Sequence, residues 1–298
     1  MKLIECVPNF SEGRDRKKGQ VLVDAAASVE GVRILDFSMD EDHHRSVMTF
    51  IGPPAAIREA CLAACHKAIE LIDMCRHTGV HPRIGAVDVV PFIPLGDAEM
   101  CDAVQIAHEF GYEFSRLCGI PVYFYGEAAL VSWKRELSNI RRGGYEALRE
   151  RLRDPRWRPD AGPNRFNPFS GATAVGARVP LIAFNINLKS NNVNVAQDIA
   201  KIIRYSSGGL PYVKAIGLLL KSRNLVQVSM NITDYRVTSL NTVFDRVREE
   251  AERRNVDILE SELIGLIPEA AMAGIAADDL KLKDFSERRI LESHYDIR

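Results

Sequence analysis

Histidine, arginine and aspartate side chains are concentrated between residues 76 and 94, R-H-T-G-V-H-P-R-I-G-A-V-D-V-V-P-F-I-P. His81 lies among glycine and proline residues, whereas His77 lies nearer the preceding helical pattern and is interpreted as structural. An imidazole, with an unperturbed pKa of ~6.5, exchanges protons at neutral pH and also binds metals. Functional residues gather on loops that a rigid scaffold positions. His81 is therefore a candidate acid, base or metal ligand, although a purely hydrogen-bonded loop residue is an equal alternative.

A second ionisable cluster occupies residues 36–45, D-F-S-M-D-E-D-H-H-R, where the pattern predicts the turn of a hairpin. Its carboxylates and imidazoles are typical metal ligands. Charged residues are also common at hairpin tips, and this ordinary explanation is preferred for Glu41 and Asp42. His44 and Arg45 lead into the next strand and are candidates for a place in a site.

Two further segments combine polar and aromatic groups. Residues 162–171, G-P-N-R-F-N-P-F-S-G, could stack on a heteroaromatic ring and hydrogen-bond its edges, although an ordered linker explains them equally well. Asn185 and Asn187 alternate on one predicted strand and therefore share a face. With Asn231 and Thr233, Asn187 would make that face polar, which favours a site over a dry core.

The apolar pattern predicts two similar series of elements that position these residues. In the first half, glycine at positions 79 and 85 and proline at 82 exclude a helix and predict special backbone angles in the histidine loop. The predicted strands are 3–7, 32–37, 46–51 and 87–93, with helices at 16–29 and from 55, in the order β-α-β-β-α-β. A helix at 98–117 and a strand at 122–125 follow, and residues 143–180 are predicted as a connector. Strands at 181–188, 213–220, 225–231 and within 256–267, with helices at 193–204 and 237–254, repeat the order.

These elements predict an α+β protein of two ferredoxin-like, βαββαβ-type subdomains, residues 1–179 with the connector and residues 180–298. Each sheet would have helices on one face and a bare apolar face on the other. Because bare apolar faces are costly, we expect the two sheets to face each other with the helices outside. The cleft between them would suit a flat ligand.

Composition excludes several classes of partner. A net charge of −1 argues against nucleic acid, and the basic run from Arg141 to Arg158, interrupted by acids, is interpreted as a solvated helix face. Glu5 and Pro8 interrupt the apolar run that a signal peptide needs, and no run is long enough to span a membrane, so a cytoplasmic location is expected. Cys61 and Cys65 share a helical face and are predicted as buried thiols; without a C-x-x-C pair, structural zinc is not expected.

Short segments along the whole chain resemble the formiminotransferase family. They are E-C-V-P-N-F-S-E-G from Glu5, D-H-H-R-S-V from Asp42, L-I-D-M from Leu71, H-P-R-I-G-A-V-D-V-V-P-F-I-P from His81, V-Y-F-Y-G-E-A from Val122, A-F-N-I-N-L from Ala183, V-K-A-I-G from Val213 and Q-V-S-M-N from Gln227. Their shared order makes the resemblance more specific than any single motif. This family contains glutamate formiminotransferase, the transferase half of formiminotransferase-cyclodeaminase.

The resemblance implies transfer of a formimino group from N-formimino-L-glutamate to N5 of tetrahydrofolate, the co-substrate, in histidine breakdown. It implies that His81 is the catalytic histidine. It also implies a homodimer, a folate tunnel between facing sheets, and a separate cyclodeaminase that acts on the product. The implied folate-binding residues are Gly162, Pro163, Asn164, Arg165, Phe166, Asn167, Pro168, Phe169, Ser170 and Gly171.

In this reaction His81 would accept the proton from N5 and return it to the leaving nitrogen, contributing ~10²–10⁴-fold. Asp36 or Asp40 is expected to hold the cationic formiminium group. His44 and Asn187 are further substrate-binding candidates.

Arg45 and Arg83 are candidates for the glutamate carboxylates, which a guanidinium group binds bidentately. Alternatively, Arg45 pairs with Asp40 or Asp42 and holds the hairpin, and Arg83 braces the histidine loop.

Two other functions remain open. One is a metal-dependent amidine or formyl hydrolase that uses His43, His44, His77 and His81 with Asp40 or Asp42; the leading interpretation needs no metal. The other is a folate-binding protein without catalysis. Formiminoglycine and formylglutamate stay open as donors.

Overall fold

The computed structural model describes residues 2–295, and the chain divides into two compact units, Met1–Arg178 and Val179–Arg298. The described part of the first unit contains a seven-stranded sheet. Its strands are β1 (Lys2–Cys6), β2 (Asn9–Phe10), β3 (Arg33–Asp40), β4 (Arg45–Gly52), β5 (Val87–Gly96), β6 (Val122–Gly126) and β7 (Thr173–Ala177). The long helices are α1 (Arg16–Ala27), α2 (Pro54–Leu71) and α3 (Met100–Cys118).

β4 lies between β3 on one side and β1 and β2 on the other, and β1 and β2 also pair with β5, all antiparallel. β1 and β2 form one line that is interrupted at Pro8, which has no backbone N–H to give to a neighbouring strand. β7 joins β5 to β6 through parallel pairings. The sheet therefore ends in a strand, β6, that pairs only with β7 among the described strands.

One face of this sheet carries the main core. Cys6, Phe50 and Phe92, from three adjacent strands, are fully buried in a cluster that also contains residues of α1, α2 and α3. Cys61 and Cys65 of α2 belong to the same cluster and are free thiols, which confirms their prediction as buried cysteines.

The opposite face is not bare at the β5–β7–β6 end. The chain between β6 and β7 contains two short helices, α4 (Leu137–Ile140) and α5 (Gly144–Arg151), and it supplies Ile140, Leu148 and Leu152 to a second apolar cluster. Tyr123 and Val89 project into this cluster, because alternate residues of a strand lie on opposite faces. The prediction of a bare face is therefore wrong here, since aromatic side chains on that face require cover. The predicted connector, residues 143–180, also contains regular elements, helix α5 and strand β7.

The second unit repeats the β-α-β-β-α-β order. Its elements are β8 (Ile182–Leu188), α6 (Val193–Ile203), β9 (Val213–Leu220), β10 (Leu225–Ile232), α7 (Leu240–Glu252) and β11 (Ile258–Ile264). The strands form an antiparallel sheet in the order β11-β8-β10-β9. Phe184 of β8 and Val228 of β10 are buried with Phe244 of α7 in one apolar cluster. The α+β class with two sheet-based units is thus confirmed. In residues 2–295 no helix has both the length and the apolar character that a membrane span needs.

Candidate active site

The histidine loop, residues 72–86 between α2 and β5, is tied to two other segments. The Val80 N–H donates to the carbonyl of Asp42 in the β3–β4 turn, at 3.1 Å. The Met74 N–H donates to the carbonyl of Phe169 in the connector, at 2.9 Å. The loop therefore has a defined position although it contains no helix.

Two glycines allow the loop to approach its neighbours closely. A Cβ atom at Gly79 would lie 2.3 Å from the carbonyl oxygen of His43, and one at Gly85 would lie 2.2 Å from that of Ala172. Neither glycine is among the residues with positive φ. The prediction that they adopt special backbone angles is wrong: glycine is needed because no side chain fits.

The protonation pattern of His81 follows from its partner. Its Nδ1 lies 2.8 Å from the carbonyl oxygen of Pro82. Because a carbonyl oxygen only accepts, Nδ1 must carry the hydrogen, and Nε2 keeps the lone pair in the neutral ring. The ring is partly exposed, and its centroid lies 5.5 Å from that of His43. His81 can therefore accept a proton at Nε2.

The electrostatic surroundings keep His81 neutral. Burial, the largest cause, and the positive charges of Arg45 and Arg141, with a further contribution from His43, hold the pKa of His81 well below its ordinary value. A histidine with a lowered pKa is an unprotonated base at neutral pH. This is the state that the first half of a proton shuttle requires.

A buried ionic cluster, the arginine–aspartate cluster, consists of Arg45, Asp88 and Arg141. Asp88 is fully buried; it accepts from Nη1 of Arg45 at 2.5 Å and from Nη2 of Arg141. It also accepts from the N–H of Ile84 at 2.9 Å, which closes the end of the histidine loop. Both arginines hold the pKa of Asp88 below its usual range against the opposing effect of burial, so the carboxylate stays charged.

Arg45 is held on both sides. Its Nε and Nη2 donate to Oδ1 of Asn9, at 3.0 and 2.7 Å, while Nη1 binds Asp88. Burial, with the nearby charge of Arg141, lowers the pKa of Arg45 to about 10. The pairing with Asp88 differs from both sequence-based alternatives, a substrate carboxylate or the hairpin acids. Its proposed role in donor binding stays a prediction.

Arg141 was missed, since the basic run that it begins was interpreted as a solvated helix face. The neighbouring Arg142 is indeed exposed, but Arg141 is mostly buried and bound to Asp88. The available signal was Asp88 itself. A carboxylate inside an apolar strand needs buried cationic partners, because an unpaired buried charge is costly.

A β-bulge turns Asp88 toward these arginines. In the pairing of β2 with β5, Asn9 lies opposite Val89 and Phe10 opposite Val87, which leaves Asp88 as the extra residue. Bulges re-aim side chains and are frequent next to active sites.

His77 and Arg83 form a structural chain beside this cluster. Nε2 of His77 donates to the carbonyl of His44 at 2.8 Å, and its Nδ1 accepts from Nε of Arg83 at 3.0 Å. Nη1 and Nη2 of Arg83 donate to the carboxylate of Glu146, at 3.0 and 2.7 Å. Burial, the largest cause, lowers the pKa of His77 to about 4. Protein groups thus engage both ring nitrogens of His77 and the guanidinium group of Arg83, and the substrate-binding role of Arg83 stays a prediction.

His44 stacks on His77, with ring centroids 4.2 Å apart. Its Nδ1 lies 2.9 Å from the carbonyl of Thr78, and its Nε2 lies 3.4 Å from Oε1 of Glu12. Glu12 also accepts from the N–H groups of Arg14 and Asp15; against the opposing effect of burial, the bond to His44 and these backbone bonds lower its pKa to about 2. His44 thus faces acceptors at both ring nitrogens.

The two candidate acids of the hairpin have different surroundings. Asp40, at the end of β3, accepts from the N–H of His43 at 2.7 Å and so caps the β3–β4 turn. Asp36 lies opposite Thr49 in the pairing of β3 with β4. Their role toward a cationic substrate stays a prediction.

The predicted folate segment, Gly162–Gly171, borders the histidine loop at its end. The Ser170 carbonyl accepts from the N–H of Ala86 at 2.9 Å, and Asn167 stabilises the turn by accepting from the N–H groups of Phe169 and Ser170. The Phe169 side chain is 62% exposed, whereas Ser170 is buried. Phe169 is therefore an open aromatic surface on an ordered turn.

The other aromatic residue of the segment, Phe166, is stacked within the unit. Its ring centroid lies 5.4 Å from that of Tyr145, and the guanidinium carbon of Arg149 lies 4.8 Å from it. Tyr145 also donates to the carbonyl of Pro168 at 2.5 Å. Phe166 thus helps to fix the segment.

Asn187 lies in the second unit, in a buried polar network on the sheet face opposite the apolar cluster. Its side chain accepts from Gln227 at 2.9 Å and donates to Glu260 at 3.1 Å. Asn185 donates to Glu262 at 3.2 Å on the same face. The polar face predicted from the alternating asparagines is present.

Across residues 2–295, no group of three or more histidine, cysteine, aspartate or glutamate side chains is arranged to hold a metal ion. His77 has both ring nitrogens engaged by protein groups, so it is a poor ligand. The rival metal-dependent hydrolase gains no support from this geometry.

The fold and the loop define a class of protein: an α+β protein of two sheet-based units with a histidine of lowered pKa on the loop before β5. The N-terminal subdomain model of the formiminotransferase domain matches residues 3–178, and the model of the formiminotransferase domain matches residues 183–293. The chain belongs to the formiminotransferase family.

Relatives align along nearly its full length. A glutamate formimidoyltransferase of Thermoplasma acidophilum is 45% identical over 98% of this chain and 97% of that protein, and one of Streptococcus pyogenes is 42% identical over 98% of each. The formimidoyltransferase-cyclodeaminase of Gallus gallus is 42% identical over 100% of this chain but only 55% of its own length.

Proposed function

We propose that this protein is a glutamate formimidoyltransferase, which moves the formimino group of N-formimino-L-glutamate to N5 of tetrahydrofolate. The observation that carries the proposal is the end-to-end similarity to two glutamate formimidoyltransferases, which share its length. A binding protein without catalysis would not need the neutral, loop-anchored histidine described above.

His81 is the acid and base of this reaction. Its Nε2 accepts the proton that the attacking nitrogen loses when the new C–N bond forms. The same atom returns that proton to the glutamate nitrogen as the old C–N bond breaks, so no net proton is lost by the enzyme. The Nδ1–H bond to Pro82 holds the ring in the tautomer that this shuttle uses.

The folate subsite includes Gly162–Gly171 of the connector. The exposed ring of Phe169 supports this assignment because it is open for stacking, while hydrogen bonds of Asn167 and Ser170 keep its backbone in place. The proposal extends to a homodimer. A cytoplasmic location agrees with six free cysteines in the described chain.

The relative from Gallus gallus carries cyclodeaminase in its name, and this chain matches about half of it. We propose that a cyclodeaminase consumes the product of this reaction.

Turnover with N-formimino-L-glutamate and tetrahydrofolate tests the proposal. The wild-type protein should form 5-formiminotetrahydrofolate, and His81→Ala should lower kcat by at least ~10²-fold with tetrahydrofolate affinity changed only a few-fold. His66→Ala, which removes an exposed histidine of α2, is the matched control and should retain full activity. Absence of transfer by the wild-type protein would refute the activity, and near-normal turnover of the His81 variant would remove His81 from it.

A further inference from the structure

The arginine–aspartate cluster has a surplus of positive charge. Two guanidinium groups share one carboxylate, and the exposed fractions of the side chains of Arg45, Arg141 and Asp88 are 10%, 13% and 0%. An uncompensated charge away from water is costly. A bound anion would offset it.

The two arginines differ in how many donors they have left. Arg45 uses Nε, Nη1 and Nη2 on Asn9 and Asp88. Arg141 uses only Nη2, on Asp88; its Nε is buried and has no hydrogen-bond partner within the described chain. Arg141 is therefore the arginine that still has unused hydrogen-bond donors.

Arg141 is also fixed close to the reacting histidine. Its segment is tied to the histidine loop, because the N–H of Tyr145 donates to the carbonyl of Arg83 at 2.8 Å. The charge of Arg141 acts on His81 strongly enough to be one of the causes that lower the pKa of that ring. An anion on Arg141 would thus lie near the group that meets the leaving nitrogen.

The donor carries an anion at this place. In N-formimino-L-glutamate the α-carboxylate is attached to the carbon that bears the leaving nitrogen, whereas the γ-carboxylate is at the far end of the side chain. We propose that Arg141, supported by Asp88 and Arg45, binds the α-carboxylate of the donor. This inference rests on the proposed function and adds a specificity-determining residue to it.

The test compares three donors that separate the two carboxylates. Formiminoglutamate has both, formiminoglycine keeps only the α-carboxylate, and 4-formiminobutanoate, which lacks it, keeps only the carboxylate at the far end. Arg141→Leu should raise the KM for the first two by about ten- to a hundred-fold, the effect of losing a charged hydrogen bond of roughly 1.5–3 kcal/mol. The KM for 4-formiminobutanoate should change as little in Arg141→Leu as in Arg142→Leu, the exposed neighbour.

The donor comparison isolates the carboxylate, because any effect of Arg141 on His81 alters all three donors alike. Arg141→Lys should restore KM only partly, since an ammonium group cannot form the bidentate pair. Equal losses for all donors, or a wild-type enzyme that prefers 4-formiminobutanoate to formiminoglycine, would overturn the subsite even if Arg141→Leu folds poorly. A wild-type protein that transfers nothing would instead refute the proposed function.

Discussion

Asp88→Asn should destabilise the first unit strongly. The substitution keeps the shape and the oxygen that accepts from the N–H of Ile84, but it removes the carboxylate that binds both Arg45 and Arg141. Removing one partner of a buried ion pair costs about 3–5 kcal/mol. We expect the upper part of that range, because two buried cations lose their counter-charge and the amide NH₂ cannot accept from either.

Urea unfolding, followed by circular dichroism, measures this effect. Glu150→Gln is the matched control in the same unit, since it makes the same chemical change in an exposed pair with Arg153 and should alter the midpoint little. Adding Arg141→Leu should recover part of the loss, with a coupling energy of about 0.5–3 kcal/mol. If Asp88→Asn unfolds within about 1 kcal/mol of the wild type, or if the two changes are additive, the cluster does not depend on this counter-charge.

Three further measurements follow from the site. The acid limb of the kcat/KM profile, which reports the base of the free enzyme, should lie below pH 6.5 because the pKa of His81 is lowered, and a limb at or above 6.5 would contradict the neutral-base assignment. The pKa of His77 is about 4 in the native state against ~6.5 in the unfolded chain, so between these pH values the unfolded chain binds more protons. The unfolding free energy should therefore rise from pH 4 to 6.5, by up to about 3 kcal/mol. His77→Gln should flatten that rise, and an unchanged slope in the variant would be inconsistent with the lowered pKa. Phe169→Ala should raise the KM for tetrahydrofolate about ten-fold without changing stability. Tyr205→Ala removes an equally exposed aromatic side chain of the second unit and should leave that KM unchanged. An equal rise in KM for both variants would reject Phe169 as a stacking surface.

Sequence patterns predicted most of the regular elements, because apolar periodicity reports directly which residues face a core. Both β-α-β-β-α-β series and the buried thiols of α2 were found in this way. The strand β7 and helix α5 were not, since the connector is rich in glycine and proline and its strand, T-A-V-G-A, is short and has no alternation. Pairing between two parallel neighbours buries such a strand on both sides and needs no alternating pattern.

Only part of the candidate site could be predicted from the sequence, for a related reason. His81 stands in a distinctive motif, but its electrostatic environment comes from side chains on three separate elements. Arg45 and Arg141 are 96 positions apart in the sequence, and only the folded chain brings both onto Asp88. The sequence of a basic run does not by itself indicate which of its arginine side chains is buried.

The parallel strand β7 also sets an order for assembly of the first unit. β6 ends at Gly126, yet its partner in the sheet begins only at Thr173. Until the chain has emerged past Ala177, β6 has no strand to pair with and α4 and α5 have an incomplete surface to pack on. Closing so long a loop costs chain entropy and slows folding. Completion of this sheet is therefore a late step, and the histidine loop gains its contacts with Phe169 and Ser170 only at that stage.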